Sequence, residues 1–184
     1  MRCSTLYGTG CEEVVHAPWW RCAAGCDNHS GSRLHAAGNP QCPPQLLGRL
    51  AQDRVWEVRR ASALHSDCPP EVLAQLARGS NSTIRVLVAQ HTKLPLDSQL
   101  RLAEDPQWEV AHQLVASPYC PPQVLHRAAT YPDGTVRLRI AQHANCSPDT
   151  LVMLLGDPDP DVRREAGRHR ALPEEYRQLL RVTS

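Results

Sequence analysis

Residues 42–63 read CPPQLLGRLAQDRVWEVRRASA, and the same phrase returns at a fixed step of 26 residues. Cys42-Pro43-Pro44 is answered by Cys68-Pro69-Pro70, Leu94-Pro95-Leu96, Cys120-Pro121-Pro122, Cys146-Ser147-Pro148 and Leu172-Pro173. A period in the range of roughly 20 to 50 residues marks a solenoid, in which each unit buries its apolar face on its neighbours. Upstream, Arg33–Ala37 aligns with Arg59–Ala63, so the repeat phase begins before the first Cys-Pro.

Each unit holds two helical stripes. Pro44, Pro70, Pro122 and Pro148 stand where proline suits the first turn of a helix, since no amide N–H is needed there. The first stripe is Leu47, Leu50 and Ala51, with equivalents such as Leu73, Leu76 and Ala77 or Leu125, Ala128 and Ala129. A turn follows at Asp53-Arg54, Gly79-Ser80, Asp105-Pro106, Tyr131–Gly134 and Asp157-Pro158. The second stripe is Val58, Ser62 and Ala63, repeated as Ile84, Val88, Ala89 and onward to Val162, Ala166 and Gly167. This is 3.6-residue periodicity with no alternating pattern for a strand, which predicts an all-α fold. The last helix, after Leu172-Pro173, is charged and suits an end cap.

Composition agrees. Apolar residues make up 41% of the 184, yet aromatics are only 4% and phenylalanine is absent, which favours a thin stack of Leu, Val and Ala over a thick core. Twenty basic residues face nineteen acidic ones, and before Cys42 Arg2, Arg21 and Arg33 are balanced by Glu12, Glu13 and Asp27. Neither part has the basic excess that nucleic-acid binding usually needs. The start MRCSTLYGTGCEEVVH lacks the apolar run of a signal peptide, and no later stretch is long and apolar enough for a membrane span. The expectation is a cytoplasmic protein with reduced thiols.

Residues 1–32 read differently. Cys3, Cys11, Cys22 and Cys26 are spaced C-x7-C-x10-C-x3-C among Gly8, Gly10, Gly25 and Pro18-Trp19-Trp20. So short a piece cannot bury enough surface to fold alone and leans on a metal or cross-links. Four thiolates suit tetrahedral zinc or an iron–sulfur cluster equally in number, and His16, His29 and His35 can also serve zinc. The segment would cap the solenoid that residues 33–184 form.

Three polar columns run through the repeats. Cys42, Cys68, Cys120 and Cys146 share theirs with Leu94 and Leu172, so these thiols read as small buried hydrophobes rather than metal ligands. Asn39, His65, His91, Ser117, His143 and His169 share a hydrogen-bonding side chain where the second helix ends and its carbonyls need donors. Arg33, Arg59, Arg85, Arg137 and Arg163, interrupted by Ala111, can be read two ways. As a row of guanidinium groups they would follow a phosphate backbone or contact a partner. As structure, each would pair with the turn acid six residues earlier, as Asp53 with Arg59 and Asp157 with Arg163. Trp56 and Trp108 share one column and are expected to cover the turn. No nucleophile–base pair, phosphate loop or HExxH is present, so the chain reads as non-enzymatic and without a small-molecule substrate.

On these residues the chain resembles the leucine-rich repeat variant proteins. The matching motifs are C-P-P-x-V/L-L-x-x-L-A at Cys68–Ala77, D-P-x-W-x-V at Asp105–Val110 and V-R-x-x-x-A at Val58–Ala63. The DPDPDVRREA run at Asp157–Ala166 is also similar to HEAT repeats, which makes that family the nearest rival. The resemblance implies a right-handed superhelix of alternating α- and 3₁₀-helices. It further implies a small N-terminal domain holding a [4Fe–4S] cluster on four cysteines, which favours Cys3, Cys11, Cys22 and Cys26 as cluster ligands over zinc ligands. It implies no catalysis. The functional expectation is a scaffold for a protein partner, with nucleic-acid binding through the arginine column, or a zinc-capped interaction module, as alternatives.

Overall fold

A computed structural model of the chain describes residues 30–182. Cys3, Cys11, Cys22 and Cys26, together with His16, His29, Trp19 and Trp20, lie outside the described residues. Twelve helices and no strand occur among the described residues, so the all-α expectation holds. The residues fall into two compact units, one ending at Val72 and the other beginning at Leu73.

The first unit contains α1 (Ser30–Gly38), α2 (Pro44–Leu50) and α3 (Trp56–Leu64). Helix α1 runs through the expected cap boundary at residues 32 and 33. Helix α4 (Pro70–Leu76) spans the division. The second unit contains α5 (Ser82–Ala89), α6 (Leu96–Leu102), α7 (Trp108–Val115), α8 (Pro122–Ala128), α9 (Gly134–Ala141), α10 (Pro148–Leu154), α11 (Pro160–Arg168) and α12 (Glu174–Val182).

Local chemistry sets these boundaries. Pro44, Pro122 and Pro148 occupy the first turns of α2, α8 and α10, preceded by an extended residue. The helices α5, α9, α10 and α11 are opened by Asn81, Asp133, Ser147 and Asp159, whose side chains accept backbone N–H groups left over in the first turn. The shorter helix of each repeat is α rather than 3₁₀, which differs from what the resemblance implied. Tighter three-residue bonds occur at its ends, as in Leu46 N–H to Pro43 O (2.9 Å) and Gln52 N–H to Arg49 O (3.1 Å).

A one-turn connection then closes each repeat. Cys42 N–H donates to Asn39 O (2.8 Å), Cys120 N–H to Ser117 O (2.9 Å) and Cys146 N–H to His143 O (2.9 Å). Within the units, second helices pack on second helices: α1 on α3, then α5 on α7, α7 on α9 and α9 on α11. First helices do the same where α6 meets α8. The predicted stripes form this core. Leu47, Leu73, Leu102, Leu125, Leu151, Val58, Val110, Val136 and Val162 are all shielded from solvent, each Leu contributing roughly 1.5–3 kcal/mol by burial. Ala63, Ala89, Ala141 and Ala166 keep the helices close. At the end of the second unit Gly167 allows a tighter approach still, with Leu180 Cδ1 only 3.1 Å from where a Cβ would stand.

Candidate functional site: the polar columns

Three arginines of the column, Arg33, Arg85 and Arg137, turn inward. In α1, Arg33 Nε donates to Asp53 Oδ2 at 2.6 Å and Nη2 to Asp53 Oδ1 at 3.2 Å. The second unit repeats the fork twice, Arg85 on Asp105 (2.6 and 2.9 Å) and Arg137 on Asp157 (2.7 and 3.1 Å). Each bond joins residues 20 apart, so the guanidinium of one repeat grips the turn of the next. The carboxylates are finished off locally: Asp53, Asp105 and Asp157 also accept the N–H of Val55, Gln107 and Asp159. Bidentate, charge-assisted bonds of this kind are the strong class of side-chain hydrogen bond.

The expected pairing of Asp53 with Arg59 and Asp157 with Arg163 is therefore corrected. Arg59 and Arg163 bind the main-chain oxygens of those two aspartates, each at 2.6 Å, and leave the carboxylates to the arginine of the preceding repeat. Arg85 and Arg137 make the same main-chain bond, to Gly79 O (2.9 Å) and Tyr131 O (2.7 Å). Arg59, Arg85, Arg137 and Arg163 thus each tie down their own turn, and Arg33, Arg85 and Arg137 clamp the next one. Arg33 and Arg85 are buried, Arg59 and Arg137 half-buried and Arg163 exposed. Burial pushes the carboxyls of Asp53 and Asp157 up, but the bonds from Arg33 and Arg137 and from the turn N–H outweigh it and leave both below the ordinary carboxylate value.

The histidine column is a ladder of the same kind. His65 Nδ1 accepts Asp67 N–H (3.1 Å) while Nε2 donates to Asn39 O (2.9 Å). His143 Nδ1 accepts Asn145 N–H (3.0 Å) and Nε2 donates to Ser117 O (2.9 Å). Only a neutral ring with its proton on Nε2 makes both bonds. The capping role holds, with one difference: the carbonyl served belongs to the preceding repeat, 26 residues back. At His169, Nδ1 accepts Ala171 N–H (3.1 Å); burial holds this imidazole below its ordinary value, against the backbone bond to His143, with Arg170 and Arg177 acting in the same downward direction.

Cys42, Cys68, Cys120 and Cys146 are buried, as are Leu94 and Leu172 in the same column. Desolvation pushes the Cys120 and Cys146 thiols up to about 12 and raises Cys42 as well. These are hydrophobic positions, as the leucine substitutions implied. Among the described residues no three His, Cys, Asp or Glu side chains gather as a metal site.

Trp56 and Trp108 open α3 and α7 with 42% and 43% of their surface exposed, and the Trp108 ring meets His112 edge-on at 5.6 Å. An open cleft of about 670 Å³ lies in the second unit beside the Arg85–Asp105 pair and reaches Arg101 and Arg127. The cleft is not legible in the columns as they are first read. The signal that locates it is Gly79, a position where other repeats carry Asp or Tyr.

The array is similar to a solved leucine-rich repeat variant described as having a novel repetitive protein structural motif, with 28% identity and a TM-score of 0.63. The match covers 82% of this chain and 60% of that one, so the chain spans three-fifths of that structure's length. A solved engineered protein aligns over 89% of this chain and 93% of its own at 16% identity and a TM-score of 0.43. No protein-family model matches the chain, and no curated protein does. The likeness supports the leucine-rich-repeat-variant type of repeat read from Cys68–Ala77 and Asp105–Val110. No described helix is long and apolar enough to cross a membrane.

Proposed function

We propose that this chain is a non-enzymatic helical-repeat scaffold that binds a protein partner. The observation that carries the reading is where the polar columns spend their hydrogen bonds. Arginines, aspartates and histidines that could have formed a reactive or phosphate-binding row are engaged on carboxylates and main-chain groups of their own and adjacent repeats. What remains outward is a surface punctuated by large side chains such as Trp108, and tryptophan is enriched where interfaces concentrate their energy. Repeat arrays use such extended faces for partners. The nucleic-acid alternative needs a row of open guanidinium groups, and all five arginines already have internal acceptors.

We further propose that Cys3, Cys11, Cys22 and Cys26 hold a [4Fe–4S] cluster of structural or redox-sensing role, with zinc as the alternative. The donor set fits: four cysteines stand outside the repeat rhythm, while the four within it are individually buried. Four thiolates are the usual cluster ligation, and the cluster would supply rigidity or a one-electron couple.

The test of the scaffold is photo-crosslinking in the native host from a benzophenone amino acid placed at Trp108, Tyr119 and Met153, all exposed. Protein adducts that recur from these positions support the reading. Adducts of nucleic acid, or none, overturn it. For the cluster, anaerobic purification with iron, sulfide and zinc analysis decides, four irons per chain supporting it and a colourless protein with one zinc removing it.

A further inference from the structure

The cleft of the second unit is lined by Ala77, Leu100 and Pro106 and by three arginines, Arg85, Arg101 and Arg127. Two of these are spoken for. Arg85 is forked on Asp105, and Arg127 on Glu104 through Nε to Oε1 (2.6 Å) and Nη2 to Oε2 (2.8 Å). The Arg101 side chain has neither hydrogen bond nor ion pair among the described residues. The lining therefore carries three cations against two carboxylates, with the surplus charge on one exposed fork. The site occurs at the repeat where Gly79 brings no side chain to the column that holds Asp53, Asp105, Tyr131 and Asp157 elsewhere.

We infer that this cleft receives a carboxylate side chain from an acidic segment of the protein partner, with Arg101 as its fork and the Ala77–Leu100–Pro106 walls covering the aliphatic stem. A planar guanidinium flanked by apolar surface matches a carboxylate on a short methylene chain. Glu104 and Asp105, fixed at the cleft by their own arginines, set the charge limit: they oppose a phosphate dianion or a polyanion and tolerate a single negative charge. The cleft is open to solvent on one side, which suits a residue presented by a larger body. This assignment rests on the scaffold reading and gives its partner a chemical class.

The experiment is an NMR titration of the ¹⁵N-labelled full chain with acetyl-Leu-Glu-Leu-amide, its Gln counterpart and inorganic phosphate. The Glu peptide is expected to shift the Leu100, Arg101 and Glu104 signals saturably, about tenfold more tightly than the Gln peptide. Arg101→Gln should abolish that preference, whereas Arg164→Gln, at an exposed pair with Asp161, should leave it intact. Equal binding of the two peptides, no shift at these residues, an unaltered preference in Arg101→Gln, or phosphate binding tighter than the peptide would each overturn the assignment. If the titration fails while crosslinking still yields protein adducts, the scaffold stands and only this site falls. The absence of adducts strikes the scaffold itself.

Discussion

The Tyr131 hydroxyl donates to the main-chain oxygen of Asp105 at 2.6 Å. That oxygen is the equivalent of those bound by Arg59, Arg85, Arg137 and Arg163 in the other repeats. Here the arginine column holds Ala111, and a side chain from the next repeat reaches 26 residues back to take over the bond. Two departures from the repeat, Ala111 and Tyr131, are thus a single substitution in physical terms.

Tyr131→Phe should therefore lower stability by about 1–2 kcal/mol, the cost of leaving a turn carbonyl without its donor. Ala111→Arg alone should destabilise, because Ala111 is fully buried, while Ala111→Arg with Tyr131→Gly should recover part of the loss. Thermal unfolding of the native chain, Ala111→Arg, Tyr131→Gly and the double variant gives the coupling. Strict additivity would contradict the exchange of roles.

The Arg85–Asp105 fork is enclosed, with side chains 11% and 5% exposed. Removing one partner strands a buried charge, so Arg85→Met should cost about 3 kcal/mol. Replacing Asp105 as well should return only part of this, since its carboxylate also accepts Gln107 N–H. The exposed Arg164–Asp161 pair should be worth under about 1 kcal/mol by the same denaturation series.

Acid should loosen the array through the same column. Asp53 and Asp157 have folded values below their unfolded ones, so between the two the unfolded chain binds more protons and stability rises with pH. Their contribution is complete above the ordinary carboxylate value of about 4 and is lost as pH falls through the lowered one. Melting temperature against pH should bend down below about pH 4 in the native chain. In Asp157→Asn the bend should be shallower from a lower plateau, and parallel curves would contradict the account.

The repeat thiols should be inert. With Cys120 and Cys146 pushed up to about 12 by burial, iodoacetamide at pH 8 should leave both unmodified until the chain unfolds, as peptide mapping would reveal. Cys146→Val should change stability by less than about 1.5 kcal/mol and leave metal content unaltered. Loss of metal in that variant would mean the thiols are wrongly sorted.

How much of this can be read from the sequence depends on whether the information is local. Prolines at the first turns of α2, α8 and α10, the Leu and Val stripes and the Cys/Leu column all report on one residue's own surroundings, and they are legible. The clamp is not local. A linear reading pairs Arg59 with Asp53 because they share a repeat, whereas stacking brings Asp105 to Arg85 across 20 residues. The signal was nevertheless present. Arg33, Arg85 and Arg137 are each followed by Asp 20 residues on, while Arg59 is followed by Gly79 and Ala111 by Tyr131. The ring orientation of His65 and His143 toward the preceding repeat is hidden for the same reason.

The most direct measurement is the arginine Nε–H region of a ¹⁵N spectrum with solvent-exchange rates, recorded alone and with duplex RNA. If the columns are mortar between repeats, Arg33, Arg85 and Arg137 give slowly exchanging signals that RNA does not move, and Arg163, which is exposed and bonds through Nη1, exchanges rapidly. Exchange as fast at Arg85 as at Arg163, with the column shifting together on RNA, would contradict the account.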